Sequence, residues 1–80
     1  MVLSIHHTRY SKLRKHLKSL RVSAGLTQIE IANRLKQEQS YVSKIERGER
    51  YIDMLFYLDW CRACMVEPVE AIKALTESGA

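Results

Sequence analysis

Apolar residues in this chain recur at the spacing of an α-helix, and this periodicity constrains its fold more than any other feature. Near the start, one predicted helical face carries Tyr10, Leu13, Leu17 and Leu20. The eighty residues include only three glycines and one proline, too few for a β fold rich in turns. The sequence therefore predicts one all-α domain over residues 9–77, preceded by an N-terminal arm at residues 1–8.

Start and stop signals divide this domain into five helices. Thr27 and Glu30 have the spacing of a capping box, in which each side chain bonds the backbone N–H of the other residue. Asp53 is an expected N-cap, and Pro68 suits the first position of the last helix. The predicted helices cover residues 9–23, residues 27–35, a short segment that ends before Gly48, residues 54–64 and a last segment after Glu67.

Charge is divided unevenly along the chain. Residues 1–50 contain 11 Lys or Arg and 4 Asp or Glu, a net charge of +7, whereas residues 51–80 contain 2 and 5, a net charge of −3. This distribution favours a polyanionic partner for the first part only. No apolar run approaches the length of a membrane span, and the N-terminus lacks a secretory pattern. We therefore expect a cytoplasmic protein with no membrane attachment.

Two short helices joined by a three-residue turn at residues 36–38 form a helix-turn-helix candidate at about residues 27–47. Ala32 is small enough for the two helices to cross closely. The expected buried contacts come from Ile31, Leu35, Val42 and Ile45. The other face of the second helix carries side chains able to hydrogen-bond base edges: Gln39, Ser40, Ser43 and Lys44. This arrangement predicts binding to double-stranded DNA.

Residues 26–50, LTQIEIANRLKQEQSYVSKIERGER, resemble the helix-turn-helix of the Cro/cI-type (XRE) repressor family. The closest likeness lies in LTQ at 26–28, in Ala32 and in QSYVSKIERG at 39–48. The resemblance implies a compact five-helix, lambda-repressor-like domain. It also implies a bacterial or phage transcriptional regulator that binds operator DNA as a homodimer.

The resemblance also assigns roles to individual residues. Gln39 is expected to pair with adenine, and Lys44 to reach guanine. The base-contacting set is Gln39, Ser40, Ser43 and Lys44, and the backbone-contacting set is Thr27, Gln28, Tyr41, Arg47 and Arg50. Gln28 resembles the family glutamine that bonds a phosphate and braces the recognition helix. Arg21 and Glu46 match positions that form a structural salt bridge in some members.

The turn departs from the family pattern at several positions. Lys36 stands where glycine is usual. A positive φ is energetically unfavourable for any residue other than glycine, so we expect a rearranged turn. Glu38 replaces the usual Ser or Thr cap of the next helix. Met65 likewise replaces a frequent glycine after helix 4.

The fourth predicted helix is apolar nearly all round, apart from Asp59 and Arg62. A helix of this kind is normally buried, and an eighty-residue monomer has few elements to surround it. We therefore predict that helices 4 and 5, about residues 54–77, mediate dimerisation. The aromatic residues expected in the interface are Tyr51, Phe56, Tyr57 and Trp60. The alternative is that these rings complete the core.

Other functions are weaker readings of the sequence. Cys61 and Cys64 match the C-x-x-C pattern, but they lie late in a predicted helix and have no second ligand pair. We therefore expect no catalytic residues, metal or cofactor. Two other roles of the same fold stay open: an antitoxin that binds a toxin partner, and the controller protein of a restriction–modification system.

Overall fold

The computed structural model describes residues 8–80 and contains five α-helices in that range. They are α1 (Thr8–Ser23), α2 (Gln28–Leu35), α3 (Gln39–Glu46), α4 (Met54–Ala63) and α5 (Pro68–Glu77). The predicted all-α, five-helix fold is confirmed. Thr8 begins α1 rather than ending an arm, and the remainder of the predicted arm, residues 1–7, lies outside the described residues. None of the described helices is long and apolar enough to span a bilayer.

Local hydrogen bonds explain why two of the helices begin where they do. The Thr27 hydroxyl accepts from the backbone N–H of Glu30 at 3.1 Å, and the Glu30 carboxylate accepts from the N–H of Thr27 at 2.9 Å. The predicted capping box is therefore present at the start of α2. At α4 the Asp53 carboxylate accepts from the N–H of Phe56 at 2.8 Å. These bonds satisfy N–H groups that a helix start leaves without partners.

The core is assembled where α1, α2, α3 and α4 meet. Its largest fully buried side chain is Trp60, whose indole N–H donates to the carbonyl of Leu17 at 3.0 Å. The other apolar residues with almost no exposed area are Leu17, Ile31, Ala32, Val42, Ile45 and Cys61. α2 and α3 each contribute two of these residues. Each of these two short helices is therefore buried on one face and exposed on the other.

The aromatic residues predicted for the dimer interface separate into two groups. Tyr57 and Trp60 are only 4% and 0% exposed. Their assignment to the interface is wrong, because both rings fill the core between α1 and α4, as the alternative interpretation held. Phe56 is half-buried and packs against Tyr41, while Tyr51 is 53% exposed. The exposed apolar side chains of the second half are instead Tyr51, Met54, Leu55, Met65 and Val69.

The turn between α2 and α3 keeps the left-handed geometry although it lacks glycine. Lys36 has φ 57° and ψ 43°. The next N–H, that of Gln37, donates to the carbonyl of Ala32 at 2.9 Å, and the N–H of Lys36 donates to Asn33 at 3.2 Å. The expected rearrangement is therefore wrong: these two bonds satisfy carbonyls at the end of α2 and hold the strained residue in place. Met65 has a similar φ of 59° after α4.

Candidate nucleic-acid interface

The two sides of α3 lie in different surroundings, one in the core and one at the surface. Val42 and Ile45 are 0% and 1% exposed and fix one side in the core. Residues on the opposite side point away from the core, and Gln39, Ser40 and Lys44 are exposed while Ser43 is half-buried. The four residues predicted to read bases therefore share the outer side of one short helix. Glu38 precedes α3 as its N-cap but makes no side-chain capping bond.

A chain of polar contacts connects this outer side to the interior. Arg21 and Glu46 form a buried ion pair, with Nε to Oε2 at 2.7 Å and Nη2 to Oε1 at 3.1 Å. Gln28 Nε2 donates to Glu46 Oε1 at 3.1 Å, and Gln39 Nε2 donates to Gln28 Oε1 at 2.8 Å. Three helices thus contribute to one continuous network.

The interior end of this network is held firmly. Arg21 Nη1 also donates to the carbonyl of Leu26 at 2.8 Å. A second arginine that sequence reasoning did not single out, Arg14, donates from Nη1 to the backbone carbonyl of Glu46 at 3.3 Å. Its stem lies so close to Gly48 that a Cβ there would be 2.8 Å from Cδ of Arg14. Gly48, with φ 79°, is therefore favoured by its backbone conformation, and a larger residue there would also have to displace the Arg14 side chain.

The C-terminal end of α3 carries a cluster around Arg47. Its Nη1 donates to the Ser43 hydroxyl at 2.9 Å, and its Nε pairs with the Glu49 carboxylate at 2.5 Å. Both members of this pair are about half exposed, so the ion pair contributes little to stability. Glu49 was missed by sequence reasoning because only the turn after Gly48 brings it back towards Arg47.

Tyr41 and Arg50 form a second cluster at the edge of α3. The Arg50 guanidinium lies over the Tyr41 ring, 4.6 Å from its centroid, and Tyr41 also contacts Phe56. The backbone carbonyl of Arg50 accepts from the Tyr10 hydroxyl at 3.1 Å. The Arg50 charge stays exposed while the rings beneath it anchor its position. The periodicity of α1 marked Tyr10, but only the fold reveals this partner.

Cys61 of α4 and Cys64, which caps that helix, are buried in the core, and His16 of α1 contacts Tyr57 of α4. Cys61 and Cys64 are buried and unlinked, and burial raises the pKa of the Cys64 thiol to about 11. Thiols of this kind are poor nucleophiles at neutral pH. His16 hydrogen-bonds the Tyr57 hydroxyl at 2.9 Å, and burial lowers its pKa. Within residues 8–80 no group of three His, Cys, Asp or Glu could hold a metal ion.

Comparison with known proteins assigns this geometry to a family. A family model described as a helix-turn-helix domain matches residues 12–74. The solved structure of an XRE-family like protein from Pseudomonas syringae pv. tomato str. DC3000 is 38% identical, covers 95% of this chain and 93% of that chain, and has a TM-score of 0.82. The chain belongs to the XRE family of helix-turn-helix regulators. The resemblance of residues 26–50 is thereby confirmed.

Other structures with this XRE-family fold are restriction–modification controller proteins. C.AhdI from Aeromonas hydrophila is 33% identical, with 75% of this chain and 91% of that chain covered and a TM-score of 0.67. The C.Esp1396I tetramer in complex with its natural 35 base-pair operator is 24% identical, covers 90% and 95% of the two chains, and has a TM-score of 0.81. At 24% identity, the similarity to C.Esp1396I shows a shared fold alone. A comparison with curated proteins found no match.

These relatives bear on the alternative functions. The family and its structural neighbours are DNA-binding regulators rather than enzymes. None of the three solved structures reported above is named as an antitoxin, so they give no support to the alternative with a toxin partner.

Proposed function

We propose that this XRE-family chain is a sequence-specific transcriptional regulator that inserts α3 into the major groove of double-stranded DNA. The observation that carries the proposal is the Gln39 side chain, which is exposed at the start of α3 and held by Gln28 at 2.8 Å. An amide fixed in this way has lost its rotamer freedom before binding, so less entropy is lost when it meets a base edge.

The predicted contacts divide by what they contribute. Gln39, Ser40, Ser43 and Lys44 read base edges and give sequence preference. Thr27, Gln28, Tyr41, Arg47 and Arg50 contact the backbone and give affinity. Arg47 reaches a phosphate by exchanging its exposed partner Glu49. The N-terminus of α2 favours a phosphate near Thr27 and Gln28, because its N–H groups and dipole attract anions.

We further propose that the regulator binds an inverted repeat as a homodimer through α4 and α5. Tyr51, Met54 and Leu55 are 53%, 62% and 72% exposed, and Val69 on α5 is 69% exposed. Met54 also borders a groove that Ile72 of α5 lines. Covering these residues with a second copy removes apolar area from water. A two-fold dimer presents two copies of α3 roughly 34 Å apart, one turn of B-DNA.

A role as the controller of a restriction–modification system is a second candidate. The 33% identity to C.AhdI over 91% of that chain supports it. The two roles use the same site and differ in the genes that the operator controls. Restriction and methyltransferase genes beside the gene for this chain distinguish the controller role from that of a general regulator.

In vitro selection of bound DNA from a random library tests the proposal directly. We expect enrichment of an inverted repeat, and Gln39→Ala should cost roughly 1–3 kcal/mol of binding and relax one base position. Gln37→Ala is the matched control, because this exposed amide lies in the turn before α3. A selection that enriches no sequence, or binding that is insensitive to salt, contradicts the proposal.

A further inference from the structure

Arg21, Glu46, Gln28 and Gln39 form one hydrogen-bond network. The negative charge of Glu46 determines which group donates and which accepts in each bond of this network. An ionised carboxylate accepts hydrogen bonds and donates none. Glu46 Oε1 accepts from Arg21 and from Gln28 Nε2, each at 3.1 Å. Gln28 must therefore turn the nitrogen of its amide inwards and its oxygen outwards. The reverse orientation would place the Gln28 oxygen against a negatively charged acceptor.

The orientation of Gln28 in turn determines how Gln39 is presented. The outward oxygen of Gln28 accepts from Gln39 Nε2 at 2.8 Å, which uses one of the two N–H groups of that amide. The other N–H and the carbonyl oxygen of Gln39 are left for a ligand. These two groups form an adjacent donor and acceptor, the pattern that complements N7 and N6 of adenine. Guanine presents two acceptors, N7 and O6, at the same edge.

We propose that Glu46 is a specificity-determining positioning residue, which makes Gln39 select adenine over guanine by fixing the direction of this network. The inference rests on the proposed DNA-binding function and adds to it. Glu46 itself is 8% exposed and lies behind Gln28, so it does not need to touch DNA. Its charge is maintained by two bonds from Arg21, which Leu26 holds in place through a further bond.

The substitution Glu46→Gln tests this directionality with almost no change of shape. Arg21 Nε makes the shortest bond of the network, 2.7 Å, and we expect the new amide to keep its oxygen there. Its nitrogen then turns towards Gln28, and the 3.1 Å bond from Arg21 Nη2 to Oε1 is lost. Gln28 then reverses and donates to the oxygen of Gln39. Gln39 is left with two N–H donors, which complement guanine rather than adenine.

The measurement is a competition titration with two operators that differ only in the base pair read by Gln39. We expect the wild-type protein to prefer adenine over guanine by about tenfold. Glu46→Gln should bring this ratio to unity or reverse it. A purely structural role of Glu46 would lower affinity for both operators equally and leave their ratio unchanged.

A second variant keeps the test informative if Glu46→Gln does not fold. Gln28→Met removes the connection to Gln39 but leaves the buried pair of Arg21 and Glu46 intact. Its adenine-to-guanine ratio should fall severalfold, apart from any uniform loss of affinity through a lost phosphate contact. An unchanged ratio in the folded variants overturns the proposed role of Glu46.

Gln39→Ala separates this inference from the proposed function beneath it. It should abolish the wild-type preference, and adding Glu46→Gln to Gln39→Ala should change the ratio no further. If the wild-type protein has no preference that Gln39→Ala removes, the assignment of Gln39 as a base reader is wrong, and the role of Glu46 is overturned with it. If that preference exists but survives both Glu46→Gln and Gln28→Met, only the role of Glu46 is overturned.

Discussion

α3 and α4 pack into the same core, but different kinds of interaction hold them there. α3 contributes two small apolar anchors, Val42 and Ile45, and is then fastened by the ion pair and hydrogen bonds of Glu46. α4 is held by the burial of Trp60 and its neighbours and by neutral hydrogen bonds from Trp60 to Leu17 and between Tyr57 and His16. Losing one partner costs more for a buried charge than for a neutral group. The difference indicates that the position of α3 depends on a buried ion pair, whereas that of α4 does not.

The outer surfaces of the two halves differ in the same sense. The outer side of α3 is polar and belongs to the half with a net charge of +7. The half with a net charge of −3 instead exposes apolar side chains, among them Leu55 and Val69. A polar, basic surface suits a wet, charged partner such as DNA, and apolar surface suits another protein surface. Each of the following predictions perturbs one side of this comparison.

The largest expected effect is on the apolar side, at Trp60. Trp60→Ala removes a fully buried ring and its hydrogen bond to Leu17, and should lower the free energy of unfolding by about 4 kcal/mol. Urea titration followed by far-UV circular dichroism measures it, because Trp60 is the only tryptophan and its fluorescence is lost. Met54→Ala, at an exposed position of the same helix, is the control. Equal losses at the two positions would mean that Trp60 does not organise the core.

The next effect concerns the polar side. Glu46→Ala leaves the Arg21 charge buried without its partner and should cost about 3 kcal/mol of stability. Replacing both members, with Arg21→Met and Glu46→Leu together, should recover most of that loss because no charge remains buried. We expect the recovered double variant to bind DNA with reduced base selectivity. Full selectivity in that variant would show that the polar network serves stability alone.

Much of this arrangement could be predicted from the sequence, because local patterns determine it. The capping box at Thr27 and Glu30 follows from spacing alone, and so does the amphipathic character of α2 and α3. Arg21 and Glu46 lie 25 residues apart in the sequence, and their contact was predicted only from the family resemblance. Local chemistry does not reveal such pairs, because they depend on how helices cross.

The errors have physical causes as well. Helix 4 is apolar nearly all round, so periodicity could not tell its buried side from its exposed side. The rings of Tyr57 and Trp60 were assigned to the surface, whereas Met54 and Leu55 lie there. At Lys36 two backbone hydrogen bonds at the end of α2 offset the cost of a positive φ, so the left-handed turn forms without glycine. The bond from Gln28 to Glu46 was not anticipated, since it depends on how α2 and α3 cross.

A smaller effect is expected at the proposed dimer surface. Leu55→Asp places a charge on a side chain that is 72% exposed, so folding should change little. If the residue is central to the interface, dimerisation should weaken by about 2 kcal/mol, roughly thirtyfold in Kd. Sedimentation equilibrium measures this, with Lys73→Ala on α5 as the control, because it lowers the net charge by the same one unit. An unchanged Kd for Leu55→Asp would move the interface elsewhere or remove it.

The smallest effect compares one residue from each half in the same backbone conformation. Lys36 and Met65 follow α2 and α4 with φ of 57° and 59°. Lys36→Gly and Met65→Gly should each stabilise the monomer by about 1 kcal/mol, because glycine adopts this conformation without strain. Thermal unfolding at low protein concentration measures both gains. Met65 is 83% exposed in the apolar half, so only Met65→Gly should also weaken dimerisation. Unequal gains in stability would mean that the side chain of Lys36 or Met65 already makes a compensating contact. Equal dimerisation Kd values for the Lys36→Gly and Met65→Gly variants would exclude Met65 from the interface.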